Sequence, residues 1–173
     1  MAGTGTNQDE SYRLAVAEHG AALSRLVRAY EADAELRRDL LQDIHVGLWR
    51  SFATFTGECS LRTWVYRVAH NIASSHVLQR KRAGKQVSLD MLEGLSDAEN
   101  LEANTGEKQK LRVLMAMIQT LAPPDRQVIL LYLEDLDAAA ISEIVGLSPG
   151  AVATKIHRIK TVLARRFNER SAP

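Results

Sequence analysis

The sequence predicts an all-α protein of two small helical domains joined by an acidic flexible linker. Three observations lead there: apolar residues recur at helical spacing nearly throughout, no strand-like alternation interrupts them, and charge is laid out in blocks. At 173 residues, 46% hydrophobic and 25% charged, the chain is globular in composition, yet its net charge of +1 hides the blocks. From Leu61 to Gln86 stand Arg62, Arg67, Arg80, Lys81, Arg82 and Lys85 without an acid. From Val87 to Glu107 stand Asp90, Glu93, Asp97, Glu99, Glu102 and Glu107 without a cation, and beyond Val145 the sign turns basic again, with Glu169 alone against it.

Taken in order, Leu23, Leu26, Val27 and Tyr30 make the first helical stripe and Leu36, Leu40, Leu41, Ile44, Leu48 and Phe52 the second. A Thr56-Gly57-Glu58 turn follows, then Ser60, placed to cap a third helix whose stripe is Leu61, Trp64, Val65, Val68 and Ile72. These form a first domain, residues 8–85. Residues 86–106 break the pattern, with Gly94, Ser96, Asn100, Asn104 and Gly106 among the acids, which marks a linker. The second domain, 107–170, opens with a helix carrying Leu111, Leu114, Met115 and Ile118. Pro123-Pro124 ends that helix and starts the next, RQVILLYLEDL. A short helix up to Val145, a Gly146-Leu147-Ser148 turn and a long final helix complete it, with Ser148 as cap and Pro149 in the first position.

Helix, glycine turn, capped helix is a helix-turn-helix arrangement, whose second helix is able to enter a major groove. On the final helix Val152, Ile156, Ile159 and Leu163 share the core face. Opposite lie Gly150, Thr154, His157, Arg158, Thr161 and Arg165, flanked by Lys155 and Lys160, types that reach base edges and phosphates. The plainer alternative is the solvated face of an ordinary amphipathic helix. On the third helix, Arg62, Arg67, His70, Asn71, Ser74 and Ser75 fall largely away from the stripe, and this acid-free face continues into Arg80-Lys81-Arg82, as a nucleic acid backbone would require. Against that stands a soluble tail on a core helix.

Other classes find little support. The five histidines (His19, His45, His70, His76, His157) are scattered without metal-site spacing, Cys59 is the lone cysteine, and no phosphate loop or nucleophile constellation occurs. No enzymatic activity and no cofactor or metal are expected. The amino-terminal stretch lacks a secretory pattern, and no run approaches the ~20 apolar residues of a membrane span, so a cytoplasmic protein without membrane insertion is expected.

The run RRDLLQDIHVGLWRSFATFTGECSLRTWVYRVAHNIASSHVLQRKR resembles domain 2 of the extracytoplasmic-function (ECF) sigma factors of bacterial RNA polymerase, and SEIVGLSPGAVATKIHRIKTVLARRF resembles their domain 4 helix-turn-helix. The two occur in the family's order, with its acidic connector between. The resemblance implies core RNA polymerase and promoter DNA as partners, and an anti-sigma factor as inhibitor. It implies that Asp39, Gln42, Asp43, Trp49 and Arg50 bind core polymerase. The loop Ala53 to Cys59, with Phe55, Thr56, Gly57 and Glu58, would pocket a flipped base of the minus-ten element. Arg62, Arg67, His70, Asn71 and Ser74 would meet its upstream edge, with Arg80, Lys81 and Arg82 on the DNA backbone. Ser148, Gly150, Thr154, Lys155, His157, Arg158, Thr161 and Arg165 would serve the minus-thirty-five element. Ala151, Ala153 and Ala140 stand where the family often has polar residues, so the recognition face is less polar than usual. Two other readings of the same faces are a helical adaptor that binds only protein and a helix-turn-helix regulator with an effector domain in front.

Overall fold

The computed structural model describes residues 3–84 and 106–171. Among them are seven helices and no strand: α1 Gly3–Tyr30, α2 Ala34–Ser51, α3 Leu61–Arg82, α4 Gly106–Gln119, α5 Pro123–Leu133, α6 Ala138–Val145 and α7 Pro149–Ser171. The expected linker, residues 86–106, lies outside the described residues except for Gly106, which begins α4. The first helix starts ahead of the expected domain edge at residue 8.

Local chemistry sets most helix starts. Asp33 accepts from the backbone N–H of Glu35 and Leu36, each at 2.9 Å, and Ser60 Oγ accepts from Thr63 N at 3.1 Å. Asp137 caps α6 through Ala140 N at 2.8 Å, and Ser148 Oγ takes Ala151 N at 3.2 Å for α7. The α5 start has no side-chain cap; Pro123 and Pro124 fill its first positions, where an N–H would have no helical acceptor. Gly146 ends α6 at φ 75°, a left-handed conformation that other residues adopt at a cost, and so turns the chain into α7.

Helices α1, α2 and α3 pack on one another around Leu23, Leu26, Val27, Leu40, Ile44, Leu48, Val65, Ala69 and Ala73, all buried. Gly47 lets α2 and α3 approach closely: a Cβ there would run into Ile72 Cδ1. The C-terminal helices enclose Met117, Ile118, Val128, Ile129, Leu131, Ile141, Ile144, Val152, Ile159 and Leu163. The α4 stripe differs from expectation: Leu111 is 55% exposed and Leu114 and Met115 half-buried, because only the C-terminal half of α4 is enclosed.

The two helical units pack against each other, α3 touching α5 and α6 and α1 touching α4, and their buried side chains form one continuous cluster. A row of polar contacts follows this seam. Arg25 holds the Glu134 carboxylate with both Nε and Nη2 at 2.7 Å. Arg62 Nη2 donates to Glu134 O at 3.0 Å, Arg67 Nη2 to Glu143 O at 2.5 Å, and Gln119 Nε2 to Arg28 O at 2.6 Å. Arg126, 4% exposed, donates to Tyr30 O at 3.3 Å, to Leu121 O at 2.9 Å and to Gln119 O, with its guanidinium 5.2 Å from the Tyr30 ring centroid. Most of these acceptors lie at or next to helix C-termini, where carbonyls lack helical donors and carry the negative end of the dipole. Arg62 and Arg67 thus find hydrogen-bond acceptors in peptide carbonyls rather than in carboxylates.

Glu31 and His70 are also built into the interior. Glu31, 2% exposed just after α1, accepts from Asp33 N at 2.9 Å and from His76 Nε2 at 2.8 Å, and pairs with Arg80. Burial alone would raise its pKa, but the hydrogen bonds from His76, Arg80 and the Asp33 backbone bring it down to about 2. His70, expected on the exposed polar face of α3, is instead buried at 1% exposure, its Nδ1 2.9 Å from the Tyr30 hydroxyl. Burial lowers His70 to about 3, so it is neutral in the folded chain, and raises the Tyr30 phenol to about 12. The reason for this correction is that α3 has helices on more than one side, so a residue off its main stripe still meets α1.

Both groups give the acid limb a defined shape. Glu31 contributes stability that is complete above its unfolded value of 4.5 and lost as pH falls toward about 2. Glu31→Gln should flatten the stability profile in that window and, by leaving Arg80 and His76 without their carboxylate, destabilise the fold at pH 7 by ~1–3 kcal/mol in thermal melts. His70 binds a proton in the unfolded chain below 6.5 but in the folded chain only near 3, so it makes stability decline as pH falls from 6.5 toward 3. His70→Gln should remove part of that decline when melting is followed from pH 7 to pH 4; an unchanged slope would mean that His70 is accessible.

Candidate promoter and polymerase interface

Helix α2 turns Leu40, Ile44 and Leu48 inward, and this orientation sets its opposite face in solvent. Asp39, Gln42, Asp43, Trp49 and Arg50 are all exposed there. Their spacing of three, four, ten and eleven from Asp39 makes one stripe, and Val46, at seven and 42% exposed, lies in its middle. Val46 was not among the expected contacts; its helical spacing within that set was the available signal. Trp49 is 43% exposed, with its indole Nε1 donating to Asp9 Oδ1 at 2.8 Å and its carbonyl accepting from Gln8 Nε2 at 2.7 Å. The start of α1 thus orients the tryptophan at one end of the stripe.

The loop between α2 and α3 is anchored by aromatics. Phe55 is half-buried, with ring centroids 5.9 Å from Phe52 and 5.1 Å from Trp64, and Trp64 Nε1 donates to Ser51 Oγ at 2.9 Å. Thr56, Gly57 and Glu58 remain exposed, and Gly57 takes φ 79°, the left-handed conformation that turns the loop back toward Ser60. Phe55 therefore supports the loop, while Thr56 to Glu58 form its open rim.

The residues expected along the upstream edge do not share one open face. Arg62 and Arg67 face the C-terminal helices through the carbonyls of Glu134 and Glu143, His70 is in the core, Ser74 is half-buried and Asn71 is exposed. Arg80 is tied to Glu31, whereas Lys81 and Arg82 are exposed. Sequence reasoning passed over Glu31 and Glu134. No local pattern marks them, because their arginine partners lie 49 and 109 residues away in the chain.

Helix α7 matches its expected wheel closely. Val152, Ile159 and Leu163 are buried and Ile156 half-buried, against exposed Gly150, Thr154, His157, Arg158, Thr161 and Arg165. Ser148 is exposed but engaged as the cap. Thr154 and Thr161 hydroxyls bond back to Gly150 O and His157 O, each at 3.0 Å. Lys155 is half-buried and, with Arg158, reaches Asp125 on α5, and Lys160 Nζ sits 5.2 Å from the Tyr132 ring centroid. A row of cations and short polar groups on a helix that follows a glycine turn suits a nucleic acid groove. Among the described residues no helix is long and apolar enough to cross a membrane.

Comparison with known proteins agrees with this arrangement. Residues 15–83 match the family described as Sigma-70 region 2, and residues 111–163 the family described as Sigma-70, region 4. The chain is 27% identical over 165 residues to the RNA polymerase sigma-H factor of Pseudomonas aeruginosa, covering 94% of this chain and 83% of that protein. It is 25% identical over 169 residues to the ECF RNA polymerase sigma-E factor of Escherichia coli K12, covering 94% and 84%. With the ECF sigma factor SigG of Mycobacterium tuberculosis it shares 28% identity over 154 residues, 76% of this chain but 41% of that protein. In fold it is similar to CnrH, solved in complex with the cytosolic domain of CnrY, with a TM-score of 0.67, 20% identity and coverage of 97% of this chain and 94% of that one. With both sigma regions present in order on an all-helical frame, the chain belongs to the ECF sigma factors, which recognise promoters and direct transcription initiation by RNA polymerase.

Proposed function

We propose that this sigma factor binds core RNA polymerase through the exposed α2 stripe and reads promoter DNA with the 53–59 loop and α7, after its two helical units have separated. The observation that carries this reading is how the polar residues are divided. Asp39, Gln42, Asp43, Trp49 and Arg50 on α2 and the basic face of α7 meet solvent, whereas Arg62 and Arg67 each donate Nη2 to a carbonyl of the C-terminal unit. Each arginine keeps further N–H donors but lies against the C-terminal unit, so a DNA strand along this edge of α3 reaches both only when the seam opens. Lys81, Arg82 and Asn71 need no such release, and the rim Thr56 to Glu58 is open to a flipped base. His70 acts in this reading as an interior post, and Arg80 as partner to Glu31.

A closed arrangement of this kind also offers a partner protein something to hold. CnrH, similar in fold, is known bound to a cytosolic domain of another protein. We assign this chain an anti-sigma partner that stabilises the closed form in the cytoplasm. Membership of the sigma family removes the adaptor and repressor readings. No catalytic step is assigned to the chain; melting is driven by binding energy, with base capture offsetting the loss of stacking.

The full chain added to sigma-free core polymerase should yield promoter-dependent transcripts on genomic fragments, and the absence of both transcript and core complex would refute the proposal. Asp43→Ala removes an exposed charge from the α2 stripe. It should weaken core-polymerase binding roughly tenfold in a competition assay while leaving the thermal melt in place. Opening is tested with fluorophores on α2 and α7. Arg25→Glu combined with Arg126→Leu removes three hydrogen bonds that cross the seam and should widen the mean separation and raise the free chain's affinity for minus-ten single strand. A separation that does not change would count against the closed resting form.

A further inference from the structure

The promoter-reading helix does not hold its cations unaided. Lys155 and Arg158, one turn apart on α7, converge on one carboxylate from another helix. Arg158 Nη2 donates to Asp125 Oδ2 at 3.1 Å and Oδ1 at 3.3 Å, and Lys155 Nζ pairs with Oδ1. Asp125 lies in the first turn of α5 behind Pro123 and Pro124, with its own N–H on Ala122 O at 3.0 Å, so its backbone is fixed. Its side chain is 23% exposed and that of Lys155 22%, whereas that of Arg158 is 63% exposed. The base of the arrangement is therefore enclosed while the guanidinium stands outside it. Arg158 uses only Nη2 on Asp125, and its Nη1 and Nε have no partner among the described residues.

We infer that Asp125 is a positioning residue for promoter recognition, holding Arg158 in one orientation with its remaining N–H groups free for the O6 and N7 acceptors of a guanine in the minus-thirty-five element. The inference rests on the reading of α7 as the helix that meets this element. An unheld arginine samples many rotamers and also finds phosphates, which give affinity without sequence information. A carboxylate at its side removes most of those orientations before DNA arrives, and a preformed donor pair discriminates between bases better than a mobile one. The same carboxylate repels phosphate, which disfavours the arginine's nonspecific use. Lys155 offsets the charge of Asp125, so the trio keeps one net positive charge toward DNA. An acid in a helix's first turn is favoured by the dipole wherever it occurs; the convergence of two cations from α7 is what that preference leaves unexplained.

The test uses holoenzyme assembled from the full chain and core polymerase, with a promoter library randomised through both elements and transcript yield read for each sequence. Asp125→Asn keeps the shape and removes the charge. It should flatten the preference at the base pair that Arg158→Ala also flattens by about five- to tenfold, leaving minus-ten preferences unaltered. Asp125→Ser, too short to reach Arg158, should do the same, and Asp125→Glu should retain most of the preference. In an Arg158→Ala background Asp125→Asn should add nothing. Unchanged discrimination in Asp125→Asn, or losses that add in the double variant, would overturn the inference and leave Asp125 as a packing contact between α5 and α7. If Arg158→Ala itself leaves the upstream preference whole, the fault lies with the assignment of α7, a different outcome from one in which Arg158 matters and Asp125 does not.

Discussion

The arrangement of this sigma factor depends on arginines that find their acceptors at helix ends. Arg62, Arg67 and Arg126 each donate to backbone carbonyls across the seam between the two helical units, and Arg25 completes the row on the Glu134 side chain. A helix C-terminus presents several carbonyls with no helical donor, so it is an acceptor that composition does not register. For Arg126 this matters most. It is almost wholly buried, and burial draws its pKa below the usual value, yet its charge is held by three carbonyls and the face of Tyr30. An apolar residue there would leave those carbonyls enclosed without donors.

The second constraint is the interior polar group around the end of α1. Glu31 pairs with Arg80 and accepts a hydrogen bond from His76 on the C-terminal half of α3, and Tyr30 links His70 to the same region. Through this group α1 fixes the axial position of α3. That in turn sets where the 53–59 loop stands, because Trp64 in the first part of α3 packs on Phe55 and bonds to Ser51 at the end of α2. The 53–59 loop is thus supported by packing on both flanking helices, with three residues free at its rim.

Much of the fold was legible because its signals are local. The stripes through Leu23 to Tyr30 and Leu40 to Phe52, the Ser60 and Ser148 caps, the proline pair and the Gly146 turn each act within a few residues of themselves. The α7 face was legible for the same reason, since Val152, Ile159 and Leu163 fix the opposite side by periodicity. Leu111 shows the limit: its spacing is helical, but whether a helical residue is covered depends on how far the neighbouring helix extends.

What the sequence by itself determined is the helical character, the position of the helix-turn-helix and the basic quality of two faces, because these follow from periodicity, capping and charge order along the chain. Only the tertiary structure decided which of those cations are free. Arg62, Arg67 and Arg80 are engaged by groups 72, 76 and 49 residues distant, and His70 lies inside although its place on the α3 wheel suggested the outside. The physical reason is that a charge is satisfied by whatever acceptor lies within hydrogen-bond reach in space, and helix-terminal carbonyls and buried carboxylates reach that distance only once the helices have packed.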